Sequence, residues 1–198
     1  MRSDPARRGL GRAFVISSPS GGGKTTVVSR LLRREPWLSR SISVTTRPMR
    51  RGERRGRAYH FISPAAFARL RTSGQLLEWA KVHGAYYGTP IEPIRAALAR
   101  GRSVVLSIDV QGARQVRRAI GKQAVLIFLL PPSLEELRER LVRRKTETAA
   151  AIRRRLAIAR RELAAATRYD HRVVNDRLDI AVRRVAAIVR RAAGRRTQ

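Results

Sequence analysis

Three glycines followed by Lys-Thr, in Ser20-Gly21-Gly22-Gly23-Lys24-Thr25, form the stretch of this 198-residue sequence with the most specific chemistry. Consecutive glycines let backbone N–H groups turn inward as an anion nest, and a following helix adds its positive N-terminal end. Lys24 can then reach the β and γ phosphates of a nucleotide, and the Thr25 hydroxyl can ligate Mg²⁺. The strict pattern wants glycine six residues before the lysine, where this chain has Ser18. The plainer reading is a flexible glycine-rich connector. Against it stand the Lys-Thr pair and the use of lysine itself. Only four of the 44 Lys plus Arg residues are lysines, namely Lys24, Lys81, Lys122 and Lys145. A compact point charge suits a tight phosphate cradle.

A second set of side chains lies between residues 41 and 89. Arg47 and Arg50, with Tyr59 and Tyr87, can hold a dianionic monophosphate through charged and phenolic hydrogen bonds. Glu78, flanked by Leu77 and Trp79, is a carboxylate on an apolar strand, which is expensive without a partner. Guanine presents N1–H and N2–H₂ side by side, and one carboxylate can accept both. Ser43 and Thr89 can donate to O6, and Asp109 can add an acceptor. Trp79 and Tyr86 read as packing, His60, His83 and His171 as structural, and Glu162 and Asp176 as helix salt bridges or turn caps.

The elements that must position these groups follow from periodicity. Ala13–Ser17 reads as a buried strand feeding the glycine loop, and from Thr25 the spacing of Val27, Val28, Leu31 and Leu32 is helical. Ser41–Thr46 alternates as a half-buried strand, Leu76–Val82 reads as another, and Gly84–Pro90 as a tyrosine-rich turn. Ser63-Pro64 starts a short helix that Gly74 ends, and Ile91–Arg100 is helical up to Gly101. The continuous apolar runs Val104–Asp109 and Ala124–Leu130 carry the mark of central parallel strands. Ser133 with Glu136 makes a capping box, and the spacing of Ile152, Leu156, Ala159 and Leu163 gives a long amphipathic helix. After Arg172-Val173-Val174, a last helix carries Leu178, Val182, Val185 and Val189. Strands alternating with helices argue for an α/β fold with a mainly parallel sheet.

Composition narrows the class. A hydrophobic content of 43% excludes wholesale disorder despite a formal net charge of +30. Such a coat attracts polyanions non-specifically, but arginine is spread over nearly every segment rather than clustered, so no specific nucleic-acid partner is expected. Zero cysteines exclude disulfides, thiolate metal sites and a cysteine nucleophile. The longest apolar run, Ala124 to Leu130, is far short of a membrane span, and a soluble cytoplasmic protein is expected.

In these motifs the sequence strongly resembles guanylate kinase. The matching stretches are Pro19 to Thr25, Ser43 to Glu53, Gly56 to Phe61, Leu77 to Ala80, Gly84 to Thr89 and Ile108 to Gly112. Pro131 to Ser133, Arg144 to Thr148 and Val174 to Asp176 follow, in family order at family spacing. The resemblance implies a P-loop NTPase three-layer α/β fold with a central parallel sheet, an inserted GMP-binding lobe and a helical lid. The implied core spans residues 12–40, 96–142 and 158–190, the lobe about 41–95 and the lid about 143–157, with basic tails at 1–11 and 191–198. The implied reaction is ATP + GMP giving ADP + GDP, with Mg²⁺ held at Thr25 and dGMP as a further acceptor, in a monomer or small homo-oligomer.

Residue by residue, the resemblance carries ATP binding to Ser18, Pro19, Ser20, Gly21, Gly22, Gly23, Lys24, Thr25, Thr26 and Asn175. The GMP phosphate falls to Arg47, Arg50, Tyr59 and Tyr87, and the guanine to Ser43, Glu78, Thr89 and Asp109. Catalytic charge falls to Lys24, Arg47, Arg140, Arg144 and Arg155. Three departures stand out: Ser107 where the family usually has an acidic residue, Lys145 for a lid glycine, and Ala149-Ala150 for acidic positions. Two other readings are a related kinase for another acceptor, such as ribose 1,5-bisphosphate, and a catalytically silent binding module. The guanine set speaks against the first, and Lys24 with Thr25 against the second.

Overall fold

The computed structural model describes residues 11–50, 52–82, 84–143 and 148–195. Numbered in chain order, β1 (Ala13–Ser17) is buried along its whole length. It pairs in parallel with β7 (Val104–Ser107) and β8 (Ala124–Leu130). β2 (Ser39–Arg40) joins β7, and β9 (His171–Val174) joins β8, also in parallel, giving the order β2-β7-β1-β8-β9. Side-chain alternation sends Phe14 and Ile16 to one face and Ala13 and Val15 to the other. The first face is covered by α1 (Lys24–Arg34) and α7 (Leu178–Ala192) through Val27, Val28, Leu31, Val182, Val185 and Val189. The second is covered by α3 (Ile91–Ala99) and α4 (Val110–Ile120) through Ile94, Leu98, Ala113 and Val116. The result is the parallel-sheet α/β fold expected from the apolar runs, in the three-layer form that the resemblance implies.

A second sheet of order β4-β3-β6-β5 carries Glu78, Tyr87 and Thr89 on its strands. It comprises β3 (Val44–Thr45), β4 (His60–Phe61), β5 (Leu76–Val82) and β6 (Ala85–Pro90), with α2 (Pro64–Thr72) between β4 and β5. Ser63 caps α2 by accepting from the Ala66 amide, and Gly74 follows it at φ +68°. Leu77 of β5 packs into the second core face, so the small sheet shares the hydrophobic core of the large one.

Four local expectations change. Gly84–Pro90 is not a turn: Ala85–Pro90 is a strand, antiparallel to β5, with Thr89 opposite Glu78 and Tyr87 opposite Ala80. Its tyrosines and threonine favour the pleat, and its glycine marks close approach rather than a bend. A Cβ at Gly88 would lie 2.9 Å from Leu76 Cδ1 and 3.1 Å from the Glu78 carbonyl. The Ser41–Thr46 run contributes only Val44–Thr45 to a ladder. β7 stops at Ser107, two residues short of Asp109, which instead caps α4 by accepting from the Gly112 amide at 2.9 Å. Of the capping box at α5 (Leu134–Arg143), the Ser133 half forms, at 3.0 Å from the Glu136 amide, while the Glu136 carboxylate pairs with Arg140. α6 (Ala149–Ala164) is the long amphipathic helix, and Thr148 caps it. No helix among the described residues is long and apolar enough to cross a membrane.

Candidate active site

The glycine loop leaves the end of β1 and enters α1 through two residues that need glycine, Gly21 at φ +92° and Gly23 at φ +84°. Gly23 is the N-cap of α1 and no side chain caps the helix, so its first amides face outward with the positive end of the dipole. Both of these glycines are closely packed. A Cβ at Gly23 would lie 2.5 Å from Asn175 Nδ2, and one at Gly21 would meet Leu141 and Leu137 at 3.0 and 3.1 Å. Ser18, in place of the consensus glycine, is buried and its hydroxyl donates to the Pro19 carbonyl at 3.1 Å. Asn175, held by its own amide on Leu130 O at 2.8 Å, donates from Nδ2 to Gly22 O at 2.9 Å. Arg140 in turn donates to Asn175 O at 3.2 Å. Thr25 and Thr26 are exposed in the first turn of α1.

Lys24 turns inward and donates to Ile108 O at 2.9 Å. Burial lowers its pKa, and Asp109, Glu162 and Glu78 act in the opposite direction. These three carboxylates come from α4's cap, the end of α6 and β5, so the lysine sits where the two sheets and the helix after residue 148 meet. Glu162 is the surprise among them. The sequence reads it as a helix salt bridge or turn cap, yet one carboxylate oxygen is buried without a partner. Burial raises its pKa, with Lys24 and the Ser20 amide opposing.

Glu78, Thr89 and Ser43 form a hydrogen-bonded chain. Thr89 Oγ donates to Glu78 Oε1 at 2.6 Å, and Ser43 Oγ lies 3.4 Å from Thr89 Oγ. Glu78 is 3% exposed, and burial is the main cause that pushes its carboxyl up to about 7, with the Thr89 hydrogen bond acting the other way. Its second oxygen lies against the first turn of α4, where a Cβ at Gly112 would be 2.3 Å from Oε2. Asp109 joins the group through its neighbours: Oδ2 accepts from Gln111 and Oδ1 from Gly112.

A second cluster is built around Arg47. Its guanidinium lies over the rings of Tyr59 and Phe61, 5.2 and 5.5 Å from their centroids, and Tyr59 meets Tyr87 edge to face at 5.7 Å. The Tyr87 phenol is hydrogen-bonded to it. Burial raises the Tyr59 pKa, so the phenol stays an O–H donor. Arg50 is exposed nearby in sequence.

Thus Ser43, Glu78, Thr89 and Asp109 converge at one end, Arg47, Tyr59 and Tyr87 at the other, and Lys24 with Asn175 at the loop. Arg155 lies half-buried on α6, and Arg144 falls outside the described residues. Sequence reasoning gave no site role to Glu53, Gly112 or Glu162, which the structure places beside the candidate residues. The polar spacing of Asp109, Gln111 and Gly112 after a buried strand could have marked a capped helix start.

The family model for guanylate kinase matches residues 10–192. The chain is 47% identical over 191 residues to a guanylate kinase of Agrobacterium fabrum, covering 96% of this chain and 86% of the relative. It is 51% identical to one from Gloeobacter violaceus, covering 93% and 90% respectively. Among solved structures, a guanylate kinase from Anaplasma phagocytophilum superposes with a TM-score of 0.78 at 34% identity, covering 92% of this chain and 86% of that one.

Proposed function

The chain belongs to the guanylate kinase family and transfers a phosphoryl group from ATP to GMP, and from that premise we propose which of its residues carry the reaction. An oxygen of the GMP phosphate attacks the γ-phosphorus of ATP, the bond from γ-phosphorus to the bridging oxygen breaks, and ADP and GDP result. Such a transfer asks for positioning and charge rather than a covalent nucleophile. Ser18 through Thr26 form the ATP phosphate cradle, with Asn175 behind it. Lys24 leaves the Ile108 carbonyl for the phosphates. Arg47, Arg140, Arg144 and Arg155 complete the charge around the transferred group. Arg47, Arg50, Tyr59 and Tyr87 hold the GMP phosphate, while Glu78 and Asp109 accept from the guanine edge and Ser43 and Thr89 donate to O6.

The observation that carries this reading is the chain Ser43–Thr89–Glu78. It sets two hydroxyls and one buried carboxylate in a row beside the core, near the lysine of the loop. A carboxylate buried at such cost is retained where a ligand supplies its donors.

Mg²⁺ fits the donor set as an ion that travels with ATP. No group of three His, Asp or Glu that could cage a metal occurs among the described residues. The exposed Thr25 hydroxyl offers one oxygen, and Mg²⁺ characteristically completes its shell with phosphates and water. When bound it would neutralise phosphate charge as the bond breaks. Residues 41–95 are read as a lobe and 143–157 as a lid, whose closure would keep water from the γ-phosphate. A cytoplasmic enzyme, monomeric or a small homo-oligomer, with dGMP as a second acceptor, completes the reading.

The test is ADP release from Mg·ATP with GMP, AMP, CMP or ribose 1,5-bisphosphate, using Lys24→Ala as the blank. Turnover confined to guanine acceptors and lost in the blank is expected. Equal turnover with AMP, or turnover that survives in the blank, would overturn these assignments.

A further inference from the structure

Glu53 has no assigned role, yet its carboxylate accepts three hydrogen bonds in the acceptor region. Its Oε2 accepts from Arg47 Nη1 at 2.7 Å and its Oε1 from Arg47 Nη2 at 2.5 Å. Oε2 also accepts from the Arg50 backbone amide at 2.8 Å, while the Glu53 amide donates to Arg50 O at 3.1 Å. One carboxylate therefore grips the side chain of one phosphate arginine and the backbone of the other.

Counting donors shows what this leaves. A guanidinium has five N–H groups. Glu53 takes one on each Nη, and Pro48 O takes another on Nη1 at 2.8 Å. Nε–H and one Nη2–H remain for the Tyr87 phenol and for a ligand oxygen. With its edge fixed by Glu53 and its face on Tyr59 and Phe61, the guanidinium has lost the rotamer freedom that a long side chain otherwise gives up on binding. Glu53 itself stays ionised: the Arg47 hydrogen bonds and the Arg50 amide hold its carboxyl down to about 2.

We propose that Glu53 is the positioning residue for the acceptor phosphate, holding Arg47 and Arg50 in the arrangement in which both meet one dianion. The inference rests on the reading of Arg47 and Arg50 as phosphate ligands. A carboxylate that merely competed for Arg47 would weaken phosphate binding, and its removal would strengthen it. A positioning carboxylate does the reverse.

Calorimetric affinities for GMP and for guanosine, which lacks the phosphate, separate these cases in the full chain, in Glu53→Gln, in Arg47→Ala and in the double variant. Glu53→Gln is expected to weaken GMP about tenfold or more, to leave guanosine unchanged, and to add little once Arg47 is gone. Unchanged or tighter GMP binding in Glu53→Gln would overturn the proposal. So would an equal loss of guanosine, which would make Glu53 a structural support of the whole region. If Arg47→Ala leaves the preference for GMP over guanosine intact, the phosphate reading of Arg47 fails and takes the inference with it.

Discussion

On the proposed assignment, the two halves of the site meet phosphate by opposite means. The glycine loop is a backbone device: it presents amides at an uncapped helix end, and its shape is set by glycines wedged against Asn175, Leu137 and Leu141. The acceptor half is a side-chain device, and its groups are already paired with one another. Thr89 is on Glu78, and Arg47 is on Glu53. Anion binding at the loop fills an open nest once Lys24 leaves Ile108. Binding at the acceptor half requires an exchange or sharing of internal partners. On that assignment the first half is general for polyphosphates, and selectivity belongs to the second.

Lys24→Ala should break the comparison most severely on the loop side. Turnover is expected to fall by ~10³-fold, while GMP affinity, measured without ATP, stays within about twofold of the parent. A comparable loss of GMP binding would show that the halves are not separable.

On the acceptor side, Gly112→Ala puts a methyl group where Glu78 Oε2 now lies, 2.3 Å from the new Cβ. Glu78 must move, and GMP should bind roughly tenfold more weakly, the worth of about one hydrogen bond to a charged group, with ATP binding unaltered. Wild-type GMP affinity in this variant would mean that Glu78 does not read the base from its present position.

The raised carboxyl of Glu78 sharpens the contrast further. Between its ordinary value near 4.5 and about 7, the folded chain keeps a proton that the unfolded chain has released. Stability should fall as pH rises through that window, and Glu78→Gln should flatten this part of the profile and stabilise the chain at pH 8. GMP affinity should rise over the same range, because the ionised carboxylate accepts two donors. Glu78→Gln run in parallel removes the contribution of the phosphate's own titration. Identical pH profiles for the two proteins would refute the assignment. The smallest effect is global: with a formal net charge of +30, the melting temperature should rise by a few degrees from low to moderate salt. Equal values would show that self-repulsion is already neutralised.

The centre of the large sheet was legible because β1, β7 and β8 are short apolar runs bounded by turn residues, whereas its edge strand β2, a Ser-Arg pair, gave no such signal. The glycine loop was legible because its chemistry needs fixed residue types at fixed spacing. The acceptor half was less so. Its ladder is made of two-residue strands and a Tyr-Gly-Thr segment, whose β character comes from pairing with β5 rather than from periodicity. The partners that hold its functional groups, Glu53 on Arg47 and Gly112 against Glu78, are invisible to spacing arguments because they depend on tertiary contact. Glu162 shows the same limit: one helix position in an amphipathic pattern looks like solvent-facing charge until the helix is docked against the loop.

The proposed division of labour puts selectivity in the self-paired carboxylate and phosphate binding in the open nest. Calorimetric titration of Glu78→Gln with GMP and, separately, with ATP tests it most directly. The prediction is a loss of GMP affinity of about 10- to 100-fold with ATP affinity unchanged. GMP binding that survives the substitution, or an equal loss of both ligands, would contradict it.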